Sequence, residues 1–160
     1  MPCLSSMTDV HTVYLGLGSN EGDRQERLDR ACQEIDKLIG PVVSRSACHE
    51  TEPWGFCSPN KFLNAVVCCS TRLAPLQLLR ATQRIERMLG RQAKTGSNGA
   101  YHDRPIDIDI LLYDDLHIDT PQLTIPHPRM LRRQFVMEPL REVMPESLFR
   151  ELDDSDSNRE

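Results

Sequence analysis

The chain has 160 residues, of which 39% are apolar and 27% charged, and its formal net charge at pH 7 is −5. This length and balance fit one globular domain. The negative charge makes the chain a poor candidate for non-specific nucleic-acid binding, which needs a basic surface. No apolar run reaches the roughly 20 residues of a membrane span. The first residues also lack the basic start and apolar core of a signal peptide.

The six cysteines include no Cys-x-x-Cys pair, which argues against a zinc ribbon or a thioredoxin-type motif. We expect small buried thiols in a reducing compartment, hence a cytoplasmic protein, and we expect a monomer. The predicted domain covers residues 1–150. Residues 151–160 are acidic and polar, and we expect them to be disordered.

In the first half of the chain, two-residue alternation predicts strands and 3.6-residue spacing predicts a helix. Gly18-Ser19-Asn20 ends the first strand, and Gly40-Pro41 ends the helix. The predicted elements are a strand at 10–17, a helix at 28–39, a strand at 42–49, a loop at 50–60 and a strand at 62–71.

The second half begins with a helix at Pro75, whose predicted apolar side is Leu76, Leu79, Ile85, Met88 and Leu89. A polar loop at 91–104 follows, and loops of such length are often functional. The remaining predictions are a strand at 106–113, a short strand at 116–118, and helix and strand within 130–143. The order β-α-β-β-α-β predicts an α+β ferredoxin-like sandwich with a mostly antiparallel sheet.

The sharpest chemical signal is Asp107-Ile108-Asp109. On a strand, residues two apart share a face, so both carboxylates project together while Ile106, Ile108 and Ile110 enter the core. Paired carboxylates suit Mg²⁺, which takes one or two of them together with waters and substrate phosphates. The alternative is a solvated strand face, although aspartate is depleted in strands.

Basic residues flank this strand. Guanidinium groups bind phosphate oxygens in a bidentate manner, and an ammonium group binds them as a point charge. The candidates for phosphate binding are therefore Arg91, Lys94, Arg104, Arg129, Arg132 and Arg133, with solvated surface charge as the alternative for each. Gln83 and Glu86 share a helix face, and His127 lies between two prolines. Trp54 and Phe62 are candidates for stacking on a flat ring or for packing within the fold.

Taken together, these segments resemble the 6-hydroxymethyl-7,8-dihydropterin pyrophosphokinase family over about residues 13–142. The segments that carry the resemblance are Tyr14-Leu-Gly-Leu-Gly-Ser-Asn20, Glu52-Pro-Trp-Gly55, Phe62-Leu-Asn-Ala65, Gln83-Arg-Ile-Glu86, Gly90-Arg91, Asp103-Arg-Pro-Ile-Asp-Ile-Asp-Ile110, Ile125-Pro-His-Pro128 and Arg133-Gln-Phe-Val136.

The resemblance implies transfer of pyrophosphate from ATP to the pterin alcohol, with release of AMP. It implies two Mg²⁺ ions on Asp107 and Asp109, catalytic roles for Arg91 and Arg104, and a backbone contact from Ile108 to adenine. The implied pterin residues are Thr51, Trp54, Phe62, Asn64 and Phe135. The implied ATP residues are Gln83, Glu86, Arg91, Lys94, Arg104, Ile108, His127 and Arg133.

The loop at 92–102 departs from the family pattern, because a tryptophan and further arginines are replaced, with Lys94 and Tyr101 as candidate substitutes. Two other readings stay open from sequence. One is a metal-dependent phosphohydrolase or nuclease that uses Asp107 and Asp109. The other is a non-catalytic ferredoxin-like binding module, which the negative charge disfavours.

Overall fold

A computed structural model describes residues 9–52, 60–90, 105–128, 130 and 133–157. The elements are β1 His11–Ser19, α1 Arg24–Leu38, β2 Val42–Arg45, β3 His49–Thr51, β4 Phe62–Thr71, α2 Pro75–Met88, β5 Asp107–Tyr113, β6 Ile118–Asp119, β7 Thr124–Ile125, α3 Gln134–Val143 and α4 Glu146–Ser157.

The main sheet has the strand order β2-β4-β1-β5, and β3 pairs with β4 beyond the end of β2. Every pairing in it is antiparallel. Strands β1 and β4 are the long central pair, and β5 is an edge strand. This architecture is the expected ferredoxin-like α+β fold.

The two faces of the sheet bury different residues. The first face, which we call the α1–α2 face, packs Val13, Leu15 and Leu17 of β1 against Leu28 and Ile35 of α1. These five side chains are each at most 2% exposed. The alternation along β1 therefore decides which residues support the two long helices.

The second face, which we call the α3 face, packs on α3. Tyr14, Val66 and Cys68 pack against Met137 and Leu140 of α3. Gly18 of β1 and Asn64 of β4 lie further along the same strands and are also buried. This end of the α3 face carries the candidate site.

The end of α1 packs directly on the sheet. The Gly40 N–H donates to the Ile35 carbonyl at 3.0 Å, and the Ser70 N–H of β4 donates to the Pro41 carbonyl at 3.0 Å. A Cβ atom placed on Gly40 would lie 1.8 Å from the Ser70 carbonyl oxygen. Only glycine permits this close approach between helix end and strand.

Several sequence predictions differ from the structure. The strand predicted at 42–49 is two strands, because one extra residue is inserted between them: Arg45 lies opposite Val67 and His49 lies opposite Asn64. Such a bulge bends the strand at 46–48. The short strand predicted at 116–118 is β6 at Ile118–Asp119. The segment 130–143 contains α3, with no strand among its described residues.

The predicted apolar side of α2 is wrong at its two ends. Leu76 and Met88 are 47% and 48% exposed, whereas Leu78 is fully buried. Leu78, Thr82, Ile85 and Leu89 recur at the helical period, and this stripe sets the orientation of α2. Leu76 and Met88 fall outside it.

The segment predicted to be a disordered tail begins inside α4, which extends through Ser157. Phe149 is buried against the α3 cluster, and Leu152 packs beside it. Their spacing of three residues gives α4 an apolar stripe, and that stripe provides the burial that the charge-rich composition does not suggest.

The four described cysteines, Cys32, Cys48, Cys68 and Cys69, are free thiols. Burial raises the pKa of Cys69 to about 12, so this thiol is protonated and unreactive at neutral pH. No described helix has the length and apolar character needed to cross a membrane.

We predict that Gly40→Ala lowers the free energy of unfolding by about 3 kcal/mol or more, because the new methyl group must displace the β4 backbone. Urea denaturation followed by circular dichroism measures this loss. Gln33→Ala, on the exposed side of α1, is the control and should change little. A Gly40→Ala protein as stable as the control would contradict the close approach.

Candidate active site

The site is organised by one register across three strands. Asp107 of β5 lies opposite Gly18 of β1, and Gly18 lies opposite Asn64 of β4. Residues directly opposite in antiparallel strands project to the same face. The carboxylate and the amide therefore stand on the α3 face, two strand spacings or about 10 Å apart, with a glycine between them.

The second carboxylate follows the same rule. Asp109 lies opposite Gly16, one pair further along β5 and β1. Both aspartates are half-buried, whereas Ile106, Ile108 and Ile110 are at most 5% exposed. The alternation predicted from sequence is confirmed, and the two carboxylates share one face of an edge strand.

Glycine keeps the floor of the site low. A Cβ atom on Gly18 would lie 3.0 Å from Asn64 Oδ1 and 3.5 Å from Phe62 Cδ1. A side chain there would displace the amide and fill the gap between Asn64 and Asp107. At Gly16 the nearest atom to such a Cβ is a Leu111 side-chain carbon at 3.4 Å, an ordinary contact.

The amide of Asn64 has a defined orientation. Its Nδ2 donates to Thr51 Oγ1 at 2.7 Å, and Asn64 is 8% exposed. Because Nδ2 is turned toward β3, Oδ1 is turned toward Gly18. Phe62, two residues before Asn64, projects from the same face of β4. Three of the predicted pterin residues, Thr51, Phe62 and Asn64, thus lie together.

Glu86 is buried, although its position beside Gln83 on α2 suggests an exposed polar side chain. It is 3% exposed, and its Oε2 accepts a hydrogen bond from the Ile108 N–H at 2.8 Å. Edge strands have outward N–H groups that need partners from outside the sheet. Glu86 is such a partner, and its hydrogen bond fixes the strand that carries both aspartates. The predicted contact of Ile108 with adenine must therefore use a group other than this N–H.

His127 also lies along β5. Its N–H donates to the Leu111 carbonyl at 3.0 Å, directly after the cis Ile125–Pro126 peptide bond. The side chain of His127 is half-buried. This hydrogen bond places the Pro126-His127-Pro128 segment at the same edge of the sheet as the aspartates.

The N-terminal end of α3 brings Arg133 and Phe135 together. The Arg133 Cζ lies 5.5 Å from the centroid of the Phe135 ring, a cation–π contact. Gln83 is half-buried on α2, three residues before Glu86. Trp54, Arg91, Lys94 and Arg104 lie outside the described residues.

The contact of Glu142 with β3 orients one flank of α3. Phe135 and Glu142 are seven residues apart, which is two helical turns, so they lie on the same side of α3. Glu142 Oε2 lies 2.6 Å from His49 Nε2, and His49 lies opposite Asn64. Phe135 therefore lies on the same flank of α3 as Glu142, two turns nearer the start of the helix.

Sequence reasoning missed three features: the glycine floor, the Thr51 hydroxyl as partner of Asn64, and the contact of Glu142 with His49. The spacing Gly16-x-Gly18 next to an Asp-x-Asp strand was an available signal for the first. The other two depend on pairings between distant segments, which no local pattern reveals.

The model of the family described as 7,8-dihydro-6-hydroxymethylpterin-pyrophosphokinase, abbreviated HPPK, matches residues 14–145. The chain belongs to the HPPK family.

Curated HPPK relatives match across most of the chain. One from Porphyromonas gingivalis, named 2-amino-4-hydroxy-6-hydroxymethyldihydropteridine pyrophosphokinase, is 50% identical over 134 residues, 83% of this chain and 90% of the relative. A Bacillus subtilis protein of the same name is 40% identical over 132 residues, 82% of this chain and 77% of the relative.

A solved structure of Plasmodium falciparum HPPK-DHPS with pteroate has the same fold, with a TM-score of 0.72 at 16% identity. The match covers 94% of this chain and 45% of that one. This chain thus spans less than half the length of that longer protein.

We predict that Glu86→Ala lowers the free energy of unfolding by about 1 to 3 kcal/mol, because the buried Ile108 N–H loses its acceptor. Glu86→Gln keeps an amide oxygen at the same position and should recover part of this loss. Chemical denaturation of the three proteins makes the comparison. Equal stability of the Ala and Gln variants would mean that the hydrogen bond does not stabilise β5.

The lowered pKa of Glu142 makes the stability of the fold depend on pH. The Ala47 N–H and His49 hold the pKa of Glu142 below its usual value of 4.5. A lowered pKa in the folded state stabilises the fold above pH 4.5, and that contribution is lost as the pH falls through the folded-state pKa. The difference in the free energy of unfolding between wild type and Glu142→Gln should therefore be constant between about pH 5 and pH 6. It should shrink below about pH 4.5. A difference that grows on acidification would contradict it.

Proposed function

We propose that this chain transfers the pyrophosphoryl group of ATP to 6-hydroxymethyl-7,8-dihydropterin in folate synthesis. The observation that carries the proposal is the Asp107–Gly18–Asn64 register. It holds a pair of carboxylates and an oriented amide on one face of the sheet, with the glycine Gly18 between Asp107 and Asn64. Membership in the HPPK family supports the same reaction.

Asn64 and the aromatic side chains form the proposed pterin half. The edge of a pterin offers several hydrogen-bond donors and acceptors, and Asn64 Oδ1, turned toward Gly18, accepts from a donor placed over β1. Phe62 and Phe135 offer ring faces to a flat heterocycle. In this arrangement Phe135 keeps Arg133 on one face and stacks on the ligand with the other.

The aspartate pair fits Mg²⁺ without further protein ligands. Among the described ranges of the chain, no cluster of three or more His, Cys, Asp or Glu could hold a metal ion. Mg²⁺ is commonly bound by only one or two protein carboxylates, and substrate phosphates and waters supply its other ligands. Two carboxylates on one strand face fit this pattern. When bound, Mg²⁺ neutralises phosphate charge and acidifies the attacking hydroxyl.

In the proposed step the pterin hydroxymethyl oxygen forms a bond to the β-phosphorus of ATP. The bond between that phosphorus and the α,β-bridging oxygen breaks, AMP leaves, and the hydroxyl proton is released. Asn64 and Phe135 hold the acceptor in place, while Asp107 and Asp109 fix the donor side. Such positioning accounts for much of phosphoryl-transfer catalysis.

The proposed ATP side uses residues beside β5 and at the start of α3. His127 lies along β5, where its N–H donates to the Leu111 carbonyl, and Arg133 directly precedes α3. We propose that these two bind ATP phosphates together with Gln83 and the basic residues Arg91, Lys94 and Arg104. We also propose a cytoplasmic, monomeric enzyme, on the basis of its cysteine content and acidic charge.

We predict pterin-dependent AMP formation when wild-type protein is mixed with ATP, Mg²⁺ and 6-hydroxymethyl-7,8-dihydropterin. Asp107→Asn and Asp109→Asn should each lose activity by on the order of a hundredfold or more, because each removes a charge from the metal site. The measurement is AMP release by a coupled assay, with folding of each variant checked by circular dichroism.

Asp115→Asn is the matched control, since Asp115 is an exposed acid in the turn after β5, and it should keep wild-type activity. Phosphate release without pterin would instead favour a phosphohydrolase. Absence of AMP from folded wild-type protein would overturn the proposed function.

A further inference from the structure

We propose that Glu142 and His49 form a positioning pair that sets the distance between the two walls of the pterin site. This inference rests on the proposed function, because it assigns Asn64 and Phe135 to one ligand. The pair contacts no reacting atom. Its role is to hold the strand that supports Asn64 against the helix that carries Phe135.

Both oxygens of Glu142 are used on one short stretch of chain. Oε1 accepts from the Ala47 N–H at 2.8 Å, and Oε2 lies 2.6 Å from His49 Nε2. A carboxylate that binds a backbone N–H and a ring nitrogen together has a defined orientation. The last turn of α3 is therefore tied to the bend between β2 and β3.

The strand at the other end of this link needs support. β3 has three residues and pairs only with β4 among the described strands. His49 and Thr51 project to the α3 face, and Thr51 accepts the hydrogen bond that orients Asn64. Whatever fixes β3 on this face therefore fixes the amide.

The opposite face of β3 has its own anchor. Arg24 of α1 binds Glu50 Oε2 at 2.7 Å and the Lys61 carbonyl at 2.8 Å. This link holds β3 and the start of β4 to α1. On the α3 face, Val66 and Cys68 of β4 pack under α3, and Glu142 adds a direct link from α3 to β3.

The pair should matter more for geometry than for stability. The side chains of His49 and Glu142 are 31% and 38% exposed, and exposed ion pairs contribute little to the free energy of unfolding. A ligand held between a ring on α3 and an amide on β4 is sensitive to a displacement of one wall, because small misplacements are costly in such sites.

The test is pterin affinity, measured by fluorescence titration in the presence of Mg²⁺ and a non-hydrolysable ATP analogue. Glu142→Ala should raise the pterin Kd about tenfold, the scale of one lost charge-assisted hydrogen bond, with the Kd of the ATP analogue within about twofold of wild type. Glu142→Gln should recover most of the affinity, because its oxygen can accept from Ala47 and its nitrogen can donate to His49.

Arg141→Ala is the matched control. Arg141 is the neighbouring residue of α3, and it forms an exposed ion pair with Glu146 at 3.0 Å. Its loss should leave the pterin Kd unchanged. His49→Ala breaks the same link from the β3 side and should weaken pterin binding to a similar extent. This second variant keeps the test possible if Glu142→Ala does not fold.

Unchanged pterin affinity in folded Glu142→Ala or His49→Ala would overturn the pair, and so would an equal loss of affinity for the ATP analogue. Wild-type protein that does not bind pterin would overturn both this inference and the proposed function. Wild type that binds pterin but releases no AMP would overturn the function alone, and the variants would still decide the positioning role.

Discussion

The antiparallel register of β5, β1 and β4 is the constraint on which the rest of the site depends. Once Gly18 lies opposite both Asp107 and Asn64, the two-residue period of a strand fixes which side chains share the α3 face. A shift by one residue would turn both aspartates toward α1 and α2 and expose Ile108. Burial of the isoleucines therefore stabilises the fold and orients the carboxylates at the same time.

The α3 face divides into a packed part and the part that carries the candidate site. Tyr14, Val66 and Cys68 pack under α3, whereas Gly18 and Asn64 lie further along the same strands, and Asn64 is oriented by Thr51. The floor of the site is glycine, so the depth of the site comes from an absence of side chains.

The edges of the site are held by polar contacts between elements that are distant in sequence. Glu86 of α2 fixes β5, and Glu142 of α3 contacts the bend before β3. Neither carboxylate belongs to the Asp107–Asp109 pair, yet each holds one side of the face on which that pair stands. Acidic residues therefore have two roles here. Glu86 and Glu142 hold elements together, whereas Asp107 and Asp109 stand in the candidate site.

Sequence alone determined the strand alternation, the two long helices, the ferredoxin-like order and the placement of Asp107 and Asp109 on one face, because each follows from local periodicity. Sequence reasoning failed for the orientation of α2, the split of the second strand and the α4 helix. In each case the structure depends on contacts with other elements. Only the tertiary structure decided that Asn64 stands across a glycine from Asp107 and that Glu142 meets His49. Pairings between segments tens of residues apart depend on the packing of the whole sheet, and no local pattern in the sequence encodes them.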